Sequence, residues 1–203
     1  MSQKEHWENV YQANSAQEVS WYQEKATVSL SIVQALKLRK ESRIIDVGGG
    51  ASTFVDGLLL ARFEDICVLD LSSHALDIAK RRLGGCATKV CWLVEDITLL
   101  EPKKRYDFWH DRAVFHFLTQ NKDRAKYKEV LNSSVRLGGY VMIAAFSIGG
   151  PEQCSGLNIV QYDVDAIKKE LGVEFQLMDE RIERHVTPSG KEQLFRYFVF
   201  QKI

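Results

Sequence analysis

The stretch Arg43–Thr53, "RIIDVGGGAST", sets a short apolar run containing Asp46 against three consecutive glycines, Gly48, Gly49 and Gly50. A β-branched run of that length, without polar alternation, reads as a strand buried on both faces. Glycine permits positive φ and removes the Cβ, so the turn after this strand lets another group lie against the main chain. Outward from it the same grammar repeats. "ICVLDL", "KVCWLV", "YDFWH" and "YVMIAAFSI" read as further strands, and the segments Ser52 to Arg62, Ser73 to Leu83 and Asp123 to Leu137 as amphipathic helices between them. Strands alternating with helices predict an α/β fold, a parallel sheet covered on both faces.

Helix ends agree with this parse. Ser72 or Ser73 can cap the second of these helices, Gly84 and Gly85 can close it, and Gly138-Gly139 is expected to do the same before the fifth strand. After Pro151 a helix from Val164 to Leu171 precedes "EFQLMDERIERHV", the turn "TPSG" and "EQLFRYFVFQKI". The last two read as strands joined by a Pro-Gly turn, so the final strand runs antiparallel to its neighbour. The first forty residues look helical and carry Trp7, Tyr11, Trp21 and Tyr22.

With 203 residues, 45% of them hydrophobic and 27% charged, the chain reads as one domain with a core, residues 1–203. Lysine plus arginine balance aspartate plus glutamate at 27 each, so no net charge attracts nucleic acid or an anionic membrane. The start is polar and acidic and no long apolar run follows, so a cytoplasmic protein is expected. Cys67, Cys86, Cys91 and Cys154 include no C-x-x-C pair, and reduced structural thiols are expected rather than a metal site.

In open α/β sheets ligands bind where strand carboxyl ends meet helix amino ends. The dinucleotide fingerprint G-x-G-x-x-G fails here, because Thr53 or Val55 stands where its last glycine is needed. Asp46 would also repel a pyrophosphate while attracting a cationic ligand. The second strand ends in Asp70, about twenty residues beyond the glycines, the spacing at which an acid reaches ribose hydroxyls. The third ends in "VEDI", where Asp96 can accept from an adenine amino group and Ile97 can pack on the ring.

At these residues the chain resembles the class I S-adenosylmethionine-dependent methyltransferases, from about Arg43 to the end. "IIDVGGGAS" is similar to that family's first motif, "VLDLS" to its second and "VEDI" to its third. The resemblance implies that Asp46 and Gly48 to Gly50 line the methionine portion of the cofactor, that Asp70 with Leu71 holds the ribose, and that Asp96 with Ile97 holds the adenine. It also implies a seven-stranded Rossmann-like sheet ordered 3-2-1-4-5-7-6 with the last strand antiparallel. A narrower likeness is to small bacterial methyltransferases with "W-x-x-x-Y" followed by "SWYQ" near the start and "HDRAVFHFL" after the fourth strand. The opening is similar as well to that of some eukaryotic protein-lysine methyltransferases, in which an aromatic N-terminal segment closes over the cofactor. Residues 1–40 are accordingly expected to be a lid over a core of residues 41–203, with Tyr11 and Tyr22 against the ligand.

The turn after the fourth strand, "YDFWHDRAVFHFLT", should face the methyl acceptor. His116 is a candidate base, His110 a candidate base or cofactor contact, and Arg112 a candidate anchor for an anionic group. The alternatives are that both histidines satisfy local bonds and that Arg112 pairs with Asp111. The turn lacks the Asp/Asn-Pro-Pro-aromatic and Pro-Cys patterns of nucleobase methyltransferases, which argues against nucleic acid. The expected acceptor is a small molecule or a protein side chain. A nicotinamide-dependent oxidoreductase and a methyltransferase-like module acting through a partner are the competing readings. The loop "FSIGGPEQCSGL" is long enough to cover the acceptor.

Overall fold

The computed structural model describes residues 2–203. Helices α1 (Gln3–Ala13) and α2 (Thr27–Ala35) precede strand β1 (Arg43–Val47) and helix α3 (Phe54–Leu60). Then come β2 (Asp65–Asp70), α4 (Ser73–Leu83), β3 (Val90–Val94), β4 (Tyr106–Arg112), α5 (Asn121–Ser134) and β5 (Val135–Phe146). A two-residue hairpin of β6 (Gln153–Cys154) and β7 (Leu157–Asn158) leads to α6 (Val164–Leu171), β8 (Phe175–Val186) and β9 (Glu192–Lys202). The main sheet has seven strands in the order β3-β2-β1-β4-β5-β9-β8. Counted without the small hairpin this is 3-2-1-4-5-7-6. Strands β1 to β5 pair in parallel, and β9 is antiparallel to both β5 and β8.

Two apolar clusters lie on the two faces of this sheet. Ile45, Val47, Trp109 and Ile143 face α5 and α6 through Tyr127, Leu131 and Ile167; Ile44, Val68, Phe108 and Met142 belong to the cluster holding Ile32, Phe54 and Leu58. Adjacent residues of β1 and β4 thus divide between clusters, as the two-residue period of a strand requires. Burial on both faces is why these strands carry no polar alternation.

Local chemistry sets most boundaries. Ser72 caps α4 by accepting from the amide of Ala75 at 3.1 Å, and Gly84 follows with φ +54°. The fifth-strand boundary departs from expectation: α5 stops at Ser134, and Gly138-Gly139 lie inside β5, where the pairing with β4 shifts register between Tyr106 and Phe108. Val135 continues the apolar phase of the helix yet pairs with Tyr106, so helical periodicity overran the true end. Helix α3 begins at Phe54 rather than Ser52. The N-terminal forty residues are two helices joined by an irregular segment that carries Trp21 and Tyr22. All four cysteines are free, Cys67 and Cys154 buried and Cys86 and Cys91 exposed. Among the described residues no helix is long and apolar enough to cross a membrane.

Candidate active site

The carboxyl ends of β1, β2 and β3 open onto one crevice. Gly48, Asp70, Leu71, Asp96 and Ile97 line it. A second hollow of about 490 Å³, lined by Asp46, Gly49, Ser52 and Thr53, adjoins it across Gly48, Tyr11 and Arg112.

The glycine turn is demanded first by the chain's own packing. Gly48 and Gly50 have φ +66° and +38°. A Cβ on Gly48 would stand 2.0 Å from Val114 Cγ2, one on Gly49 2.5 Å from Asp46 Oδ2, and one on Gly50 2.8 Å from Asp70 Oδ2. Each clash is with a side chain from a different point of the crevice, so the three glycines let β4, β1 and β2 close on a single turn.

The three acids are held differently. Asp46 is buried, one oxygen 2.6 Å from His110 Nδ1 while the other has no hydrogen-bond partner. Asp70 accepts from the Ser72 amide at 2.8 Å. Burial pushes its carboxyl up to about 7, against the bonds from Ser72 and Gly50 and with help from the charges of Asp46 and Glu8. Asp96 accepts from both the amide and the hydroxyl of Thr98 at 2.8 Å, capping the short turn Ile97–Leu99.

Helix α1 roofs the crevice. Its Glu8 was not singled out by sequence, yet it accepts from the Ser72 hydroxyl (2.9 Å), the amide and hydroxyl of Ser73 (2.8 and 2.9 Å) and the His74 amide (3.2 Å). A carboxylate on the amino end of α4 satisfies free amides and the helix dipole together. Burial opposes its charge, but these bonds prevail and hold Glu8 below the ordinary carboxylate range. Glu8 lies one residue from Trp7 and one turn from Tyr11, so this bond set fixes both aromatics over the crevice. Tyr11 is buried, and its hydroxyl accepts from Trp21 Nε1 at 3.1 Å. Trp7 packs edge-on against Trp21 and Phe117 at 5.6 and 5.0 Å. Tyr22 lines the second hollow and not the main crevice. The spacing of Trp7 and Tyr11 on one helix face was readable; that α4 would receive the helix through Glu8 was not.

At the end of β4 the structure changes three expectations. His110 engages protein through both ring nitrogens, Nδ1 with Asp46 and Nε2 with Ser29 Oγ at 2.8 Å, and stacks on Phe54 at 3.9 Å. It steadies Asp46, and no ring nitrogen is left to act as a base. His116 is fully buried against Phe117 and Phe146 and lines neither hollow. Burial, then the nearby Arg112 charge, pushes it down to about 3, so it stays neutral and cannot reach an acceptor. Arg112 does not pair with Asp111. Its Nε donates to Tyr197 Oη at 2.8 Å, Nη1 to the Trp21 carbonyl at 3.1 Å, and Nη2 stands 3.5 Å from Glu183 Oε2. Asp111 instead accepts from Tyr127 Oη at 2.6 Å and from the amides of Val114 and Phe115. That bracing holds the next residue but one, Ala113, at φ +72°, a conformation rare for alanine. Cys154, carried by the β6–β7 hairpin, lines the same crevice.

No protein-family model matches the chain. Over 110 residues it is 29% identical to malonyl-[acyl-carrier protein] O-methyltransferase 1 of Ilyobacter polytropus, a match spanning 53% of this chain and 39% of that protein. Among solved structures, one concerned with conversion of a disulfide bond into a thioacetal group during echinomycin biosynthesis superposes with TM-score 0.77 at 17% identity, covering 99% of this chain and 92% of the other. A methyltransferase of Anabaena variabilis gives 0.73 at 17%, covering 100% and 96%. The N-methyltransferase NodS of Bradyrhizobium japonicum, complexed with S-adenosylhomocysteine, gives 0.72 at 12%, covering 99% of each chain. Sheet order, glycine turn and overall superposition agree: the chain has the fold of the class I S-adenosylmethionine-dependent methyltransferases.

Proposed function

We propose that this protein transfers a methyl group from S-adenosylmethionine to a small-molecule or protein side-chain acceptor. The observation that carries the reading is the row of three acids. Asp46, Asp70 and Asp96 stand at the ends of adjacent strands, where a cation, a diol and an amino group would each need an acceptor. The unpartnered, buried Oδ2 of Asp46 suits the cofactor's ammonium, since a lone buried carboxylate oxygen is costly until a donor meets it. In this reading Asp46 with Gly48 to Gly50 holds the methionine portion, Asp70 with Leu71 the ribose, Asp96 with Ile97 the adenine, and Tyr11 and Tyr22 cover the ligand from residues 1–40.

When bound, the cofactor supplies a methyl carbon already activated by positive sulfur. The chain's own part is to hold the acceptor at near-attack distance, about 3–3.5 Å, and to exclude water. Trp7, Tyr11 and Trp21 do the excluding. Arg112 orients; His110 and His116 move no proton.

Isothermal titration with S-adenosylmethionine and S-adenosylhomocysteine tests the reading, with saturable one-to-one binding of both expected. Binding of neither, with enhanced NADH fluorescence instead, would replace it with the oxidoreductase reading. Incubation with labelled cofactor and a cell extract separates turnover from a binding module, since label in neither protein nor small molecules would favour the latter.

A further inference from the structure

The main sheet ends at two edges of different character. At one, β3 is five residues long; at the other, β8 is twelve. Among the described residues, 176–186 bond main chain to main chain only with β9, so the outer side of β8 presents a row of unpaired amides and carbonyls. Edges of this kind are ordinarily blunted by a bulge or by charges that repel another strand. A bulge does shift the register near the start of β8, between Leu177 and Asp179. Beyond it, however, the charges are of both signs and interleaved.

The segment "MDERIERHV", residues 178–186, complements its own reverse about Ile182. When two copies pair antiparallel on that centre, Ile182 meets Ile182, Glu180 meets Arg184, and Met178 meets Val186. Glu180, Ile182 and Arg184 share one face of the strand by its two-residue period. All three are exposed. The apolar members stand in water: Met178, Ile182 and Val186 are 51%, 57% and 59% exposed. Glu180 pairs with Arg196 and Arg184 with Glu192 at 3.6 Å within the chain, so a second copy would extend charge rows that already run across β9. On the other face Arg181 would meet Glu183, although both are already held, Arg181 by Ser31 at 2.7 Å and Glu183 by Gln23 at 2.7 Å. Neighbouring registers fail. Centring on Arg181 sets Asp179 against Glu183, and centring on Glu183 sets Arg181 against His185.

We propose that β8 is a docking edge for a second copy of this chain, joined antiparallel about a two-fold axis at Ile182, so that two seven-stranded sheets continue as one. Such an interface is isologous: each contact occurs twice, except the one on the axis. Nine residues a side fall short of the roughly 20–30 of a standard interface, so a weak dimer is expected, with a dissociation constant on the order of 10 µM.

Sedimentation velocity over about 1–200 µM protein reads the association, and the unaltered chain should pass from monomer to dimer within that range. Ile182→Lys and Ile182→Glu each set two like charges face to face on the axis, so each variant alone should dimerise at least about tenfold more weakly. Mixed in equal amounts, the two variants set opposite charges there, and a heterodimer should return. That recovery requires residue 182 to meet itself. Because Ile182 is exposed, both variants should melt with the unaltered chain. An unaltered chain that stays monomeric throughout, a dimer indifferent to both substitutions, or a mixture that remains monomeric would overturn the proposal.

Discussion

At one end of the crevice Asp46, Asp70 and Asp96 each stand at or within two residues of the close of a strand, and the strands are neighbours in the sheet. At the other end Trp7, Trp21, Arg112, Phe117 and Cys154 come from five separate segments, from the first helix to the β6–β7 hairpin. The first end is built from a repeated local unit, strand then turn then helix, and its charges remain partly uncompensated. The second is assembled by packing, and its one strong charge is cancelled by Glu183 across two further strands. The acid-lined end is specified locally, whereas the aromatic end is specified by how remote segments close on it.

Substitutions can break that contrast, and the largest effect belongs to Asp70→Ala. Loss of two charge-assisted bonds, about 1.5–3 kcal/mol each, should weaken S-adenosylhomocysteine binding by about 100-fold or more in a titration. Unchanged affinity would remove Asp70 from the site.

The milder Asp70→Asn separates binding from stability. The folded carboxyl sits up to about 7 while the unfolded one is near 4, so between those values the folded state binds the extra proton. Stability of the ligand-free protein therefore falls as pH rises through that window and stays low above it, with a ceiling on the order of 4 kcal/mol. Asp70→Asn should melt above the unaltered protein at pH 8, keep only a small part of that advantage at pH 5 and lose it below about pH 4. Parallel melting curves for the two proteins would show instead that Asp70 is not strained by its burial.

Gly48→Val tests whether the turn serves ligand alone. The clash with Val114 and the left-handed φ should cost about 1–3 kcal/mol or more of ligand-free stability in urea melts, besides weakening cofactor binding. An unaltered midpoint would show that the turn serves the ligand alone.

Glu8→Ala removes the bonds that dock α1 on α4, a loss of about 1–2 kcal/mol. Release of S-adenosylhomocysteine, followed by stopped-flow displacement, should speed up by about tenfold, with Glu8→Gln in between. An unchanged rate would mean that α1 is no lid.

The smallest effect is expected of His116→Phe. It deletes two buried nitrogens that have no partner, so affinity should hold and the melting temperature should stay or rise. A collapse of binding would return His116 to the site.

Much of the acid-lined end was legible because period, glycine and strand-end acid are local signals. Leu71 and Ile97 line the crevice, whereas the choice for His110 between a base, a cofactor contact and a local bond was open in the sequence until Asp46 and Ser29 are seen to hold both nitrogens. The end of α5 misled, because Val135 satisfies a helix face and a strand equally. Glu8 and Glu183 carried no signal, since an acid on a polar face or an edge strand gives no hint of its distant partner.

Sequence by itself determined the alternating architecture, the turn that only glycine permits, and the row of acids, because backbone conformation and side-chain period are decided within a few residues. Tertiary structure alone decided which base candidates are buried, that Arg112 is neutralised, and that the first helix docks beside Asp70. Burial and charge balance are properties of neighbours in space, and here those neighbours lie as far apart in the chain as Trp21 and Tyr197.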